Sequence, residues 1–94
     1  MGSYSSDVKA KLITATDTDL GVGRTRIRQL QVVTAAGTPQ ITVKSGSSSG
    51  TTVLDLKFSP SITTSVNIPA DGILSEEDPN FTLTNITSVT VFYA

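Results

Sequence analysis

Three arginines at alternating positions are the first residues in this sequence that could bind a charged partner. They stand in a stretch predicted to be extended, so alternate residues lie on one face of the strand. The planar guanidinium group of arginine matches a carboxylate through two parallel hydrogen bonds. This arginine row therefore predicts docking on an acidic partner surface, and the alternative is a hydrated strand face that protects a sheet edge from aggregation. The row consists of Arg24, Arg26 and Arg28.

A second charged group, the acidic segment, is formed by the consecutive residues Glu76, Glu77 and Asp78. Residues 1–47 carry six basic and three acidic side chains, and residues 48–94 carry one basic and five acidic ones. Opposite charges on one small body predict head-to-tail pairing of copies into a ring such as a trimer. The alternative is that the two groups lie side by side within one protomer, or are simply hydrated.

Two short motifs resemble ligand-binding loops and depart from them. Asp17 and Asp19 are spaced like the first ligands of a calcium loop, but Gly21 stands at the fifth position and Arg28 at the twelfth, where the pattern requires oxygen ligands. The segment Gly21–Val22–Gly23 lacks the third glycine, the lysine and the following helix of a phosphate loop. We therefore expect no metal site and no cofactor.

The residue types that most enzymes use are missing from this chain, which has no Cys, no His and no Trp. Thiolate and imidazole chemistry, including Ser-His-Asp triads, is thereby excluded. A carboxylate pair for glycoside hydrolysis could come from Asp71 and the acidic segment, but these carboxylates stand in polar turn sequences that do not raise a pKa by burial. We expect the protein not to be an enzyme.

Net charge and hydropathy argue against two classes of partner, nucleic acids and membranes. The formal net charge of −1 gives no global positive field for nucleic acid. No apolar run approaches the roughly 20 residues of a spanning helix, so we expect neither a nucleic-acid nor a membrane partner. Twelve Ser and fifteen Thr suggest a surface covered by hydroxyl groups, which suits strands and turns.

Apolar residues recur with the two-residue period of β-strands almost everywhere. Residues 1–7 are expected to be a flexible tail and residues 8–94 a single domain. Ile27 and Leu30 differ in parity, which predicts a β-bulge near Arg28 or Gln29. The serine-rich segment 45–50 is expected to be a hairpin loop. The eight predicted strands cover residues 9–16, 24–35, 40–44, 51–58, 63–68, 73–75, 81–84 and 88–93.

Eight short strands separated by turn signals predict an all-β protein, a single-domain antiparallel β-sandwich of the jelly-roll or immunoglobulin-like type. In the first strand, the parity of Val8, Ala10 and Leu12 is expected to face inward and the lysines outward. The predicted core residues are Leu12, Leu30, Val32, Ile41, Val43, Leu54, Leu56, Phe58, Val66, Ile68, Leu83, Val89 and Val91.

The last third of the chain carries a recognisable pattern. Residues 67–74, Asn-Ile-Pro-Ala-Asp-Gly-Ile-Leu, are followed by Leu-Thr-Asn-Ile-Thr-Ser-Val-Thr-Val-Phe-Tyr at 83–93. This resembles the end of small virion proteins of tailed phages, including marine podoviruses. Residues 26–37 resemble the second strand of that family, and 46–56 its glycine-rich hairpin.

The resemblance implies a small β-sandwich on the virion, as a capsid decoration, knob, fibre or tail component, with no catalytic residue. We therefore expect a virion structural protein that binds the major capsid protein or another virion protein and forms a homo-oligomer. The alternative is a host-recognition module of a tail or fibre, in which mobile loop tips bind a surface glycan or protein.

Overall fold

The computed structural model describes residues 8–69 and 72–94. The predicted tail at residues 1–7 lies outside this range, as do Ala70 and Asp71 of the predicted turn.

The described residues form nine strands in two antiparallel sheets. Sheet A has the strand order β1-β9-β3-β6, with β7 also paired to β3, and sheet B has the order β2-β8-β4-β5. The strands are β1 (Lys9–Ile13), β2 (Thr18–Asp19), β3 (Thr25–Thr34), β4 (Gln40–Ser45), β5 (Thr51–Lys57), β6 (Thr63–Asn67), β7 (Ile73–Ser75), β8 (Pro79–Thr84) and β9 (Ile86–Tyr93).

This architecture confirms the predicted all-β sandwich-like fold. The path of the chain differs from a simple succession of hairpins, because only β4 and β5 pair with each other directly after a turn. Most other connections cross from one sheet to the other, so strands far apart in sequence become neighbours. The β4–β5 hairpin confirms the predicted role of segment 45–50 as its loop.

The core lies between the sheets and is built from alternate residues of the central strands. Six predicted core residues are fully buried there: Leu30, Val32, Ile41, Val43, Val89 and Val91. Six others are only half-buried against it, because they lie on or beside the edge strands β5 and β6 or at the end of β8: Leu54, Leu56, Phe58, Val66, Ile68 and Leu83. Four further residues are buried that were not among the predicted core residues: Ile13, Leu20, Ile27 and Phe81.

Strand β1 shows the opposite orientation to the predicted one. Ile13 lies opposite Val89 and is 2% exposed, whereas Leu12 is 61% exposed. The predicted core position of Leu12 is therefore wrong. Lys9 and Lys11 lie on the same side of β1 as the buried Ile13. Lys11 satisfies its ammonium group there by donating a hydrogen bond to the backbone oxygen of Leu20 at 2.7 Å. A long side chain can reach past the apolar layer to a carbonyl in this way.

The predicted β-bulge is confirmed in β3. The register with β9 shifts between Ile27 and Gln29, so that Arg28 has no opposing residue in that ladder. The extra residue allows Ile27 and Leu30 to be buried on the same side although their parities differ.

Two strand segments fall where loops were predicted. The two-residue strand β2 lies between the predicted strands 9–16 and 24–35, and β8 begins at Pro79, two residues before the predicted strand 81–84. These two strands pair with each other, with Asp19 opposite Asn80. Segment 17–23 is thereby held against the beginning of β8.

Candidate functional site

The arginine row and the acidic segment meet within one chain. Arg24 Nε donates a hydrogen bond to Glu76 Oε1 at 3.2 Å, with 64% and 72% of the two side chains exposed. An ion pair this exposed contributes about 0–1 kcal/mol to stability. It nevertheless means that one of the charge pairs expected to join separate copies is made inside the protomer.

The other two arginines have different surroundings. Arg26 lies opposite Leu74 of β7, and its backbone exchanges two hydrogen bonds of 3.0 Å with Ala94. Arg28 stands at the bulge, and its buried Nε has no hydrogen-bond partner among residues 8–69 and 72–94. The bulge therefore interrupts the uniform alternation that the arginine row showed in the sequence.

Asp78 is the residue of the acidic segment with the most contacts. Its carboxylate accepts hydrogen bonds from the backbone N–H groups of Gly21 at 2.9 Å, Val22 at 2.8 Å and Gly23 at 3.0 Å. Gly21 and Gly23 have φ values of 83° and 75°, a region in which glycine carries no steric penalty. Three successive N–H groups turned toward one point form a concave anion-binding arrangement, or nest.

Glu77, which lies between Glu76 and Asp78 in the acidic segment, contacts the β4–β5 hairpin. Its backbone N–H donates to Ser45 Oγ at 2.9 Å, and its carbonyl accepts from Ser75 Oγ. Asp78 reinforces the same junction, since its carbonyl accepts from the N–H of Gly46 at 2.9 Å. The acidic segment thus links the loop between β2 and β3 with the β4–β5 hairpin.

The two carboxylates considered as calcium ligands are bridged by an amide. Asn80, only 3% exposed, donates from Nδ2 to Asp17 Oδ1 at 3.0 Å and to Asp19 Oδ1 at 2.8 Å. Its buried Oδ1 has no hydrogen-bond partner within the described part of the chain. No cluster of three or more His, Cys, Asp or Glu side chains suited to a metal ion occurs among the described residues.

The two outward faces of the sandwich differ in charge. The outer face of sheet A carries Arg26 at its β7 end, because Arg26 lies between the buried Thr25 and Ile27 and opposite Leu74. Beyond the β-bulge, in β1, β6, β9 and β3 from Gln29 onward, none of the outward residues is charged, and we call this part the uncharged face. Its residues are Ala10, Leu12, Gln29, Gln31, Val33, Thr63, Ser65, Asn67, Ser88, Thr90 and Phe92. Val8, with the same parity as Ala10, is 40% exposed beside them.

The outer face of sheet B, in contrast, carries both signs of charge. Lys44, Asp55 and Lys57 lie on β4 and β5, and Asp19 lies on β2. Gln40 Nε2 donates to Asp55 Oδ1 at 2.7 Å, which places the Asp55 carboxylate over the outward surface of β4. This face has the alternation of charged and polar groups typical of a hydrated surface.

Sequence reasoning missed both the uncharged face and the contacts of Asp78. To recognise the uncharged face, one has to know which residues of β1 point outward. The burial of Ile13 shows that Ala10 and Leu12 do. For Asp78 a local signal did exist, because two glycines at alternate positions permit the backbone conformation of a nest.

Among the residues that the structure describes, no helix is long and apolar enough to cross a membrane. Comparison with protein-family models, curated proteins and solved structures found no match to this chain.

Proposed function

We propose that this protein is a non-enzymatic virion structural protein, a capsid-bound decoration or knob that acts by surface binding. The observation that supports it best is the uncharged face, the part of sheet A formed by β1, β6, β9 and β3 from Gln29 onward, set against the charged outer face of sheet B. A module fixed to a larger body needs one surface that loses water at little cost and another that stays hydrated.

The chemistry of the uncharged face suits burial against a protein. Burying an unpaired charge is far more costly than burying a hydroxyl or amide group that finds a hydrogen-bond partner, and interface centres are accordingly depleted of charged residues. Leu12, 61% exposed, adds apolar area at the β1 side of this face. An interface of standard size takes about 800 Å² from each partner, roughly a sixth of the 4937 Å² that the described chain exposes.

The proposed partner is the major capsid protein or another virion protein, and the proposed location is the virion surface or tail. Weak contacts of this kind become effective when symmetry repeats them on one particle. Self-association, with a trimer as the expected ring, is part of the proposal. Because Arg24 is already paired with Glu76 in the protomer, such a ring would depend less on this pair than the sequence suggested.

A second candidate function is host recognition by a tail or fibre. It is favoured by the tip of the β4–β5 hairpin, where Ser47, Ser48 and Ser49 are exposed. Hydroxyl-rich loop tips carried by a rigid scaffold are a common arrangement for binding.

The copy number of the protein per purified virion tests the proposal. Quantitative mass spectrometry, normalised to the major capsid protein, is expected to find hundreds of copies if the protein decorates the capsid. A dozen copies or fewer would contradict decoration and favour the tail or fibre function, and binding to host cells would then be measured. Absence from the particle would contradict any virion role.

A further inference from the structure

The loop between β2 and β3 has the construction of an anion-binding site, and it is occupied. Its three successive N–H groups, from Gly21 to Gly23, all lie within 3.0 Å of oxygens of the Asp78 carboxylate. The guanidinium group of the next residue, Arg24, donates a hydrogen bond to the carboxylate of Glu76. Two neighbouring groups of donors, one from the backbone and one from a side chain, therefore each hold a carboxylate.

We propose that the loop 21–24 is an oxyanion-binding site whose occupant in the free protein is the acidic segment of the same chain. The ligand class is an oxyanion with several acceptor oxygens, either a phosphate group or a carboxylate. Such a ligand replaces Asp78 in the nest and Glu76 on Arg24. The acidic segment then acts as an autoinhibitory contact at this site.

The geometry favours an oxyanion over other ligands. Backbone N–H groups arranged as a nest offer only donors, so a cation or a neutral donor finds no partner there. Successive N–H groups combined with a neighbouring basic side chain are the arrangement with which proteins bind phosphate. A carboxylate already fills the nest although the third glycine and the lysine of a phosphate loop are absent.

The internal ligand is expected to keep external anions out of this site in the free protein. Asp78 and Glu76 are tethered, so they compete with a dissolved anion at a high effective concentration. The tether is short and fixed on both sides of the carboxylate: Gly46 N–H donates to the carbonyl of Asp78, and Leu20 N–H donates to that of Pro79 at 2.8 Å. The site opens only when the contact of the Asp78 side chain is lost.

The test uses the full chain labelled with ¹⁵N and the variant Asp78→Ala. Sodium phosphate and, in a separate titration, sodium acetate are added at constant ionic strength, and the amide resonances of Gly21, Val22 and Gly23 are followed. In the variant we expect saturable shifts of these three amides, at least fivefold larger than in the wild type at the same anion concentration. A larger response to phosphate than to acetate identifies phosphate as the ligand, and a larger response to acetate identifies a carboxylate.

Two further variants make the result specific. Glu77→Ala removes a neighbouring carboxylate whose oxygens accept no hydrogen bond from the loop, and it is expected to respond like the wild type. Arg24→Gln combined with Asp78→Ala is expected to weaken phosphate binding several-fold while the nest remains. If Asp78→Ala does not fold, Asp78→Asn, which keeps one acceptor but no charge, is expected to show a smaller saturable shift. Amides that respond no more in the Asp78 variants than in the wild type, to either anion, would overturn the proposal.

Discussion

One carboxylate joins two loops that are more than fifty residues apart in the chain. Asp78 accepts hydrogen bonds from three successive N–H groups at sequence separations of 55 to 57 residues. Hydrogen bonds to a charged group contribute more than neutral ones, about 1.5–3 kcal/mol each where water is excluded. Because this carboxylate lies near the surface, water can replace part of what its removal takes away.

Replacing Asp78 by alanine is expected to lower the free energy of unfolding by about 1–2 kcal/mol, because three N–H groups lose their acceptor. Urea denaturation followed by circular dichroism measures this change. Asp78→Asn retains one acceptor oxygen and is expected to lose less. Glu77→Ala is the matched control, since its side chain makes no hydrogen bond to the loop 21–24, and a loss equal to that of Asp78→Ala would contradict the importance of the nest.

At the scale of single elements, strand β1 places neighbouring residues in opposite environments. Leu12 is 61% exposed on the outer face of sheet A, and Ile13 is 2% exposed against Val89. Four of the five residues of this strand are exposed, so Ile13 is its one side chain in the core.

Ile13→Ala is therefore expected to destabilise the protein by about 2–5 kcal/mol, because it removes buried methyl groups and leaves a cavity. Leu12→Ala is expected to change stability by about 0.5 kcal/mol or less, as at most surface positions. Thermal and urea unfolding of the two variants give the comparison directly. A larger loss of stability for Leu12→Ala than for Ile13→Ala would contradict this orientation of β1 and would show that Leu12 faces the core.

The elements also show where sequence reasoning succeeds and where it fails. The β4–β5 hairpin was predicted because alternation and loop lie next to each other in the chain, and the bulge at Arg28 followed from the parities of Ile27 and Leu30. The face of β1 could not be predicted by the same means. Its Leu12 and Ile13 are both apolar, and only the register with β9 decides which one is buried.

The sequence allowed the residues of the charged site to be named, but not the contacts between them. Arg24 and Glu76 were both named from the sequence, but their pairing within one protomer depends on the connection that brings β7 beside β3. Strand β2 has two residues and thus no period to detect. The nest depends on the backbone conformation of Gly21 and Gly23, which residue types permit but do not determine.

At the scale of the whole molecule, the two outer faces of the sandwich differ in charge, so one suits attachment to a partner and the other suits exposure to solvent. Beyond Arg26 and the bulge, sheet A presents hydroxyl, amide and apolar groups, and sheet B presents charges of both signs. An attached protein with this polarity would have its sheet A covered and its sheet B in solvent.

Introducing a charge on one face or the other tests which of them attaches to a partner. Gln31→Lys places a charge on the exposed centre of the sheet A face, and Thr84→Lys places the same charge at an exposed position of sheet B. Gln31→Lys is expected to weaken binding to undecorated particles by at least tenfold, because the ammonium group would have to be desolvated. Sedimentation of the protein with particles measures the binding.

The matched variant Thr84→Lys is expected to bind like the wild type, and both variants are expected to keep the wild-type melting temperature within a few degrees. Equal weakening by both substitutions would indicate that attachment does not use the sheet A face.

The position of β9 also determines when this protein can fold during its synthesis. The strand at residues 86–93 lies between β1 and β3 in the middle of sheet A. Strand β1 therefore leaves the ribosome long before the neighbour with which it pairs, and the nascent chain carries strands with unpaired edges until residue 93 has emerged. Such a chain has to stay soluble while incomplete, and we expect the two lysines of β1 to oppose association at its unpaired edge, as charged side chains do on edge strands.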